Sequence, residues 1–363
     1  MDPRIERHAE VLVDQCTGVT AEDDVVVVAP PVAEDLVVAL YRRLGEIGAQ
    51  PTLHWSSARA EREYGRAMDE EAFRTPEHRL AEMEATDVVI AIGGGTNLAE
   101  TSDVAPEKNA ARGRAHEPVF KERLETRWVI TQYPAPGSAQ KAEMSTAAYE
   151  EFVWNAVDRD WEAQRDFQQE MADVLTEGEE VRIRSGDTTD VTMSIEGMRG
   201  CNDWGTHNMP AGEVFTAPVR ESVEGEVLFD KPVMRNGREL TDVFLRFEEG
   251  RVVDFDAAGH VDVLEATLDT DEGARYLGEL GIGMNRAIDR FTYNMLFDEK
   301  MGDTVHMAVG DAIDECVPEG VEANESAAHV DMIVDMSEDS TIEVDGEVVQ
   351  RDGTFRFEDG FEA

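Results

Sequence analysis

The sequence predicts an α/β N-terminal domain with a mostly parallel sheet, followed by a β-rich α+β C-terminal domain. Three observations carry that reading. The first half alternates short β-branched runs with segments of helical periodicity. The texture changes at Glu177-Gly178-Glu179-Glu180, after which short strands of polar alternation are separated by Gly, Asn and Asp turns. A chain of 363 residues also exceeds one ordinary core and suits two domains, placed here at 1–177 and 178–363.

The elements follow in order. Val25–Ala29 is an unbroken apolar run, as expected of a parallel strand covered on both faces. Pro30-Pro31 ends it. Leu36, Val37, Leu40, Tyr41 and Leu44 then recur at helical spacing, with Gly45 and Gly48 near the stop. Thr52–Trp55, Asp87–Ile92 and Arg127–Gln132 read as further strands, the third of the four ending in Gly93-Gly94-Gly95. A long helix is predicted from about Ser145, its N-cap, to about Leu175, with Tyr149, Phe152, Val153, Ala156 and Val157 on one face. Trp154 and Trp161, seven apart on it, suit core packing or a dimer face. Beyond the boundary, Val181–Ile183, Val191–Ile195, Glu226–Phe229, Val243–Phe247 and Arg251–Phe255 read as strands, the last two as a hairpin around Gly250. A helix is expected within Leu264–Leu280.

Charge narrows the function classes. Asp and Glu number 79 against 33 Lys and Arg, a net charge of −46, and the acids are dispersed instead of forming a tail. Only five of the basic residues are lysine. Dispersed acid with scarce lysine suits a folded surface working in molar salt, where counterions screen self-repulsion. The expectation is a cytoplasmic, halophilic protein. Such a surface repels nucleic acid and anionic membranes, so neither is expected as a partner. The N-terminus lacks signal-peptide character, and no apolar run approaches a membrane span. Cys16, Cys201 and Cys316 lie far apart, without zinc or redox spacing, and read as free thiols in a reducing compartment.

Five potential metal ligands stand out in ordered-looking settings: Glu213, Glu279, His306, His329 and Asp331. His329 and Asp331, at i and i+2 of a strand, face the same side. His306 lies in the β-like stretch DTVHMAVG. Glu279, in YLGELGIGMN, has apolar neighbours and needs a partner if buried. Glu213, in NMPAGEVFTAP, sits where Pro and Gly bend the chain. Each alone has a plain structural reading, as a solvated acid or a core histidine. Two imidazoles and three carboxylates together can hold two divalent cations, an oxygen-rich set suiting Zn, Co or Mn, and Mg less. Two cations about 4 Å apart acidify water and polarise a carbonyl, the chemistry of hydrolysis.

The segments NMPAGEVFTAP, LDTDEGARYLGELGIGMN, HMAVG and NESAAHVDM, with RWVITQYPAPGSAQKAEMSTAAYEEFV upstream, resemble the aminopeptidase T/aminopeptidase S family of leucyl-type metallo-aminopeptidases. The resemblance runs from about Val25 to about Phe355. It implies that Glu213, Glu279, His306, His329 and Asp331 bind the metals, and that the substrates are short peptides with a free N-terminus. It also implies a homodimer. Two positions depart from the pattern. Ile313 stands where many members have a tyrosine, and Gly212 where some have an acid. The general base is therefore unassigned, and Glu272 and Asp311 are the candidates for shuttling a proton to the leaving amine.

The rival chemistry is a mononuclear Fe(II) ring-cleaving dioxygenase using His306, His329 and Asp331 as a facial triad, since the resemblance extends to dihydroxypyridine dioxygenases. Such an enzyme does not need Glu213 and Glu279, and both are present. A third reading takes Gly93-Gly94-Gly95-Thr96-Asn97 as a phosphate cradle, making a nucleotide-binding or repurposed relative. The stretch lacks P-loop and GxGxxG spacing and reads better as a tight turn. His207 and the pair His260 and Asp262 read as loop residues.

Overall fold

The structure, a computed structural model, describes residues 1–235 and 237–362. The chain divides into two compact units, Met1–Arg159 with Gly205–Pro210, and Asp160–Trp204 with Ala211–Ala363. The division after Arg159 precedes the boundary placed at Glu177 and gives the helix Trp161–Glu177 to the second unit.

In the first unit, four strands form a parallel sheet in the order Gln50–Trp55, Asp24–Ala29, Val88–Gly93, Arg127–Gln132. Val25, Val27, Val88, Ile90 and Val129 are fully or almost fully buried, as the unbroken apolar runs require. Each such side chain contributes about 1.5–3 kcal/mol on leaving water, enough to fix which runs become strands. The helix Glu34–Ile47 buries Leu36, Val37, Leu40 and Leu44, and Gly48 closes it at φ 97°, a backbone that favours glycine. A fifth, two-residue strand, Asn208–Met209, pairs parallel to Arg127–Gln132. It comes from far along the chain, and the sequence reading did not include it.

The long helix expected over 145–175 is two helices, Thr146–Val157 and Trp161–Glu177. Ser145 caps the first, as predicted. Asp160 caps the second, its carboxylate accepting from the Ala163 N–H at 3.0 Å. An aspartate that can satisfy a helix start competes with continuing the helix, and this divides the pattern. Trp154 and Trp161 therefore lie on different helices. Both are buried core residues.

Among the described residues, the second unit contains two large antiparallel sheets and a two-stranded antiparallel pair, Val233–Arg235 with Arg238–Leu240. The larger has eight strands, with the five predicted strands at its centre and one end. Val243–Glu248 and Arg251–Asp256 form the expected hairpin, with Glu249 and Gly250 both at positive φ. The smaller sheet has the order His329–Asp335, Thr304–Gly310, Leu277–Gly283, Glu213–Thr216, Cys201–Asp203. The helix expected within Leu264–Leu280 lies earlier, at Val261–Leu268, and the end of that range is instead the strand Leu277–Gly283. One apolar core joins the two sheets. It includes Ile183, Met193, Val227 and Phe247 from the larger, and Leu280, Ile282, Val305, Met307, Met332 and Val334 from the smaller. Among the described residues, no helix is long and apolar enough to cross a membrane.

Candidate metal centre

Alternation along the smaller sheet separates packing from chemistry. Leu280 and Ile282, Val305 and Met307, and Met332 and Val334 enter the core. The intervening positions belong to the other face. There the antiparallel register sets Glu279 opposite Ala308, and Ala308 opposite Asp331. His306 lies opposite Gly281, Glu213 opposite Gly283, and His329 opposite Gly310. Gly281 leaves room that any other residue would fill, since a Cβ there would come 2.0 Å from His306 Nε2. Four strands thus deliver the five predicted residues to one place.

Their contacts form a chain. His306 Nε2 is 3.5 Å from Glu213 Oε2 and 3.4 Å from Glu279 Oε1. The other oxygen of Glu279, Oε2, is 3.2 Å from His329 Nε2, which in turn is 3.4 Å from Asp331 Oδ1. Glu279 therefore spans both imidazoles, dividing the set into a Glu213/His306 side and a His329/Asp331 side. Glu279, His306 and Asp331 offer ligand atoms within 4.8 Å of one another. His329 donates from Nδ1 to the Asp311 carbonyl at 2.9 Å, which fixes the ring's orientation and turns Nε2 toward the carboxylates.

The electrostatics call for positive charge. Burial pushes Glu279 upward, yet hydrogen bonds from His306 and His329 outweigh it and hold its pKa at about 2. Burial pushes both histidines downward, but Glu279 with Glu213 raises His306 to about 9, and Asp331 with Glu279 raises His329 to about 11. Protons on the imidazoles thus compensate the clustered carboxylates. Buried carboxylates without a counter-charge would be costly. Glu213 Oε2 and His306 Nδ1 are buried without a hydrogen-bond partner. A divalent cation fits this set: it supplies the charge and uses an orphaned oxygen.

Sequence reasoning missed three neighbours. Lys300 is fully buried, and its Nζ donates to Glu213 Oε1 at 2.9 Å and also to Glu299 Oε1. Burial opposes its charge, but Glu213 and Glu299 more than offset this and raise its pKa. Burial raises Glu299 to about 7 despite Lys300. Asp203 lies opposite Glu213 in register and is buried beside the site. One signal was available, since lysine is scarce in this chain and Lys300 follows Phe297, Asp298 and Glu299 shortly before His306.

The two proton-shuttle candidates lie elsewhere. The Glu272 side chain is 82% exposed and 3.8 Å from Arg220 Nη2. The Asp311 carboxylate accepts from the Ser326 N–H at 2.9 Å, so Asp311 reaches the cluster through its main-chain carbonyl. Ile313 packs with a small apolar cluster containing Cys201 and Cys316.

The imidazole–carboxylate centre on one of the second unit's two packed sheets, and the parallel α/β sheet of the first unit, are those of a metallo-aminopeptidase, a peptide-bond hydrolase. The chain belongs to the thermophilic metalloprotease family M29, whose model matches residues 1–356. It is 33% identical over 286 residues to aminopeptidase T of Thermus aquaticus, covering 67% of each chain. To aminopeptidase AmpS of Bacillus subtilis it is 37% identical over 171 residues, a match spanning 41% of this chain and 40% of that one. Among solved structures, the wild-type AmpT of Thermus thermophilus superposes with a TM-score of 0.87 at 26% identity, covering 98% of this chain and 99% of that one. A 2,5-dihydroxypyridine dioxygenase of Pseudomonas putida KT2440 shares the fold, with a TM-score of 0.63 at 13% identity and 99% of each chain covered.

Proposed function

We propose that the chain removes N-terminal residues from short peptides, using two divalent cations held by Glu213, Glu279, His306, His329 and Asp331. The observation that carries this reading is Glu279, whose two carboxylate oxygens face different imidazoles. A carboxylate so placed can serve two neighbouring cation positions, with Glu213 and His306 completing one and His329 and Asp331 the other. When bound, such cations supply Lewis acidity to a carbonyl and acidify water. The residues do the rest. The Asp311 carbonyl holds the His329 ring in one orientation, and Lys300 holds Glu213 by one oxygen, leaving Oε2 toward His306. Glu299, raised to about 7 beside Lys300, can hold a proton near neutral pH. The acidic surface supports a setting of molar salt.

The dioxygenase reading uses only His306, His329 and Asp331. The contacts of Glu213 and Glu279 with the same imidazoles favour hydrolysis. The test is an aminopeptidase assay in molar KCl on aminoacyl anilides, after reconstitution with Zn, Co or Mn and metal analysis. Cleavage of free-amine substrates but not N-acetylated ones, with two metals per chain, is the expected result. No cleavage of any anilide, or one iron per chain with oxygen consumption on a dihydroxypyridine, would overturn the reading.

A further inference from the structure

Two of the three cysteines meet in the second unit, although 115 positions separate them. The Cys316 thiol donates to Cys201 Sγ at 3.0 Å, and both are free thiols. Cys201 opens the edge strand Cys201–Asp203 of the metal-bearing sheet and is 8% exposed. Cys316, wholly buried, closes a short helix in the connection 311–328 between the strands of His306 and His329. That connection therefore folds back from one side of the sheet to its opposite edge. The main chain holds it there, since the Arg199 N–H donates to the Cys316 carbonyl at 2.9 Å. Around the two sulfurs pack Met198, Ala217 and Ala312, with Phe215, Ile313 and Val317 partly buried beside them.

The geometry points to a reversible disulfide between Cys201 and Cys316, formed in the folded chain by exchange with a low-molecular-weight disulfide, which clamps the connection 311–328 to the sheet edge. The chemistry balances in two steps. The Cys201 thiol loses its proton and attacks the reagent disulfide, forming a mixed disulfide and releasing one small thiol. The Cys316 thiol then loses its proton and attacks the Cys201 sulfur, releasing the second. Two protein thiols are oxidised to one disulfide, and one reagent disulfide is reduced to two thiols. Cys201 goes first because it retains some exposure, and Cys316 is the resolving thiol. The clamp bears on the centre through Asp311, at the start of the same connection, whose carbonyl holds His329. The inference does not rest on the aminopeptidase reading.

The experiment uses the full chain in molar KCl, equilibrated with bis(2-hydroxyethyl) disulfide at temperatures where it stays folded. It is then denatured, alkylated with N-ethylmaleimide and digested without reduction. The expected result is a joined peptide pair containing Cys201 and Cys316. Dithiothreitol should reverse it, and amide exchange across 311–328 should be slowed at least about tenfold in the oxidised form. Cys201→Ser should abolish both the joined pair and the slowing. Cys16, in the other unit, provides the internal comparison. Alkylation of both Cys201 and Cys316 at equilibrium with the reagent would overturn the inference. So would pairing that always involves Cys16, or a joined pair with unchanged exchange across 311–328.

Discussion

Lys300 shares its ammonium between Glu213 and Glu299 in a fully buried position. Removing one partner of a buried ion pair leaves the other charge uncompensated, which costs about 3–5 kcal/mol. Lys300→Met should therefore destabilise the metal-free chain by about that amount, and added divalent cation should restore part of it by binding the folded form alone. Chemical denaturation with and without chelator measures both effects. A second residue, His8, is fully buried and held at about 3 by desolvation. Its Nε2 lies 2.7 Å from Thr131 Oγ1, whose own hydrogen goes to the Met209 carbonyl. The ring is therefore a neutral donor. Because its folded pKa lies below the unfolded 6.5, the unfolded chain takes up the proton first. The His8 contribution to stability is full above about pH 6.5 and declines as pH falls toward 3, by up to about 1.4 kcal/mol per pH unit. Between pH 6.5 and 5, before most carboxylates titrate, His8→Gln should flatten the slope of denaturation midpoint against pH.

Among elements, the strand Leu277–Gly283 shows how backbone room sets chemistry. On its site face Glu279 is followed by Gly281 and Gly283, and the imidazole of His306 lies across the first glycine. Gly281→Ala should displace that ring and weaken metal affinity by about 10–100-fold, as disturbing a ligand's support usually does. Competition with a chelator reads the change. Gly45→Ala, in the helix Glu34–Ile47 with nothing within 4 Å of its new methyl, should leave affinity unchanged. Local pattern made part of this readable from the sequence. The i, i+2 spacing of His329 and Asp331 placed both on one face, and the β-branched runs marked the parallel strands. Register between distant strands has no local signature, so the pairing of Glu213 with Gly283 was not visible, and neither was the burial of Lys300. The break at Asp160 was hidden for another reason. Trp154 and Trp161 keep a helical interval across it, so periodicity continued where the hydrogen bonding did not.

At the scale of the molecule, two electrostatic effects oppose each other. Exposed ion pairs such as Arg182 with Asp190, 2.7 Å apart, stabilise by less than about 1 kcal/mol each and weaken in salt. Self-repulsion at a net charge of −46 also weakens in salt, with the opposite sign. The excess of 79 acids over 33 bases makes repulsion the larger effect. The screening length shrinks from about 10 Å at 0.1 M to about 3 Å at 1 M. Thermal midpoints should therefore rise between 0.1 and 3 M KCl, by about 2–4 °C for each kcal/mol of repulsion relieved. Circular dichroism melts across that range test it, and a flat or falling series would mean that the ion pairs dominate.

The strand Asn208–Met209 belongs to the first unit's sheet although it lies beyond the start of the second unit. Order of synthesis and order of completion are therefore out of step. When Arg159 leaves the ribosome, the sheet has four of its five strands, and the outer side of Arg127–Gln132 is an open edge able to pair with another nascent chain. It stays open until Pro210 has also emerged, by which time the helix Trp161–Glu177 and the first strands of the second unit are outside as well. A gene fragment stopped at Arg159 would make that temporary edge permanent.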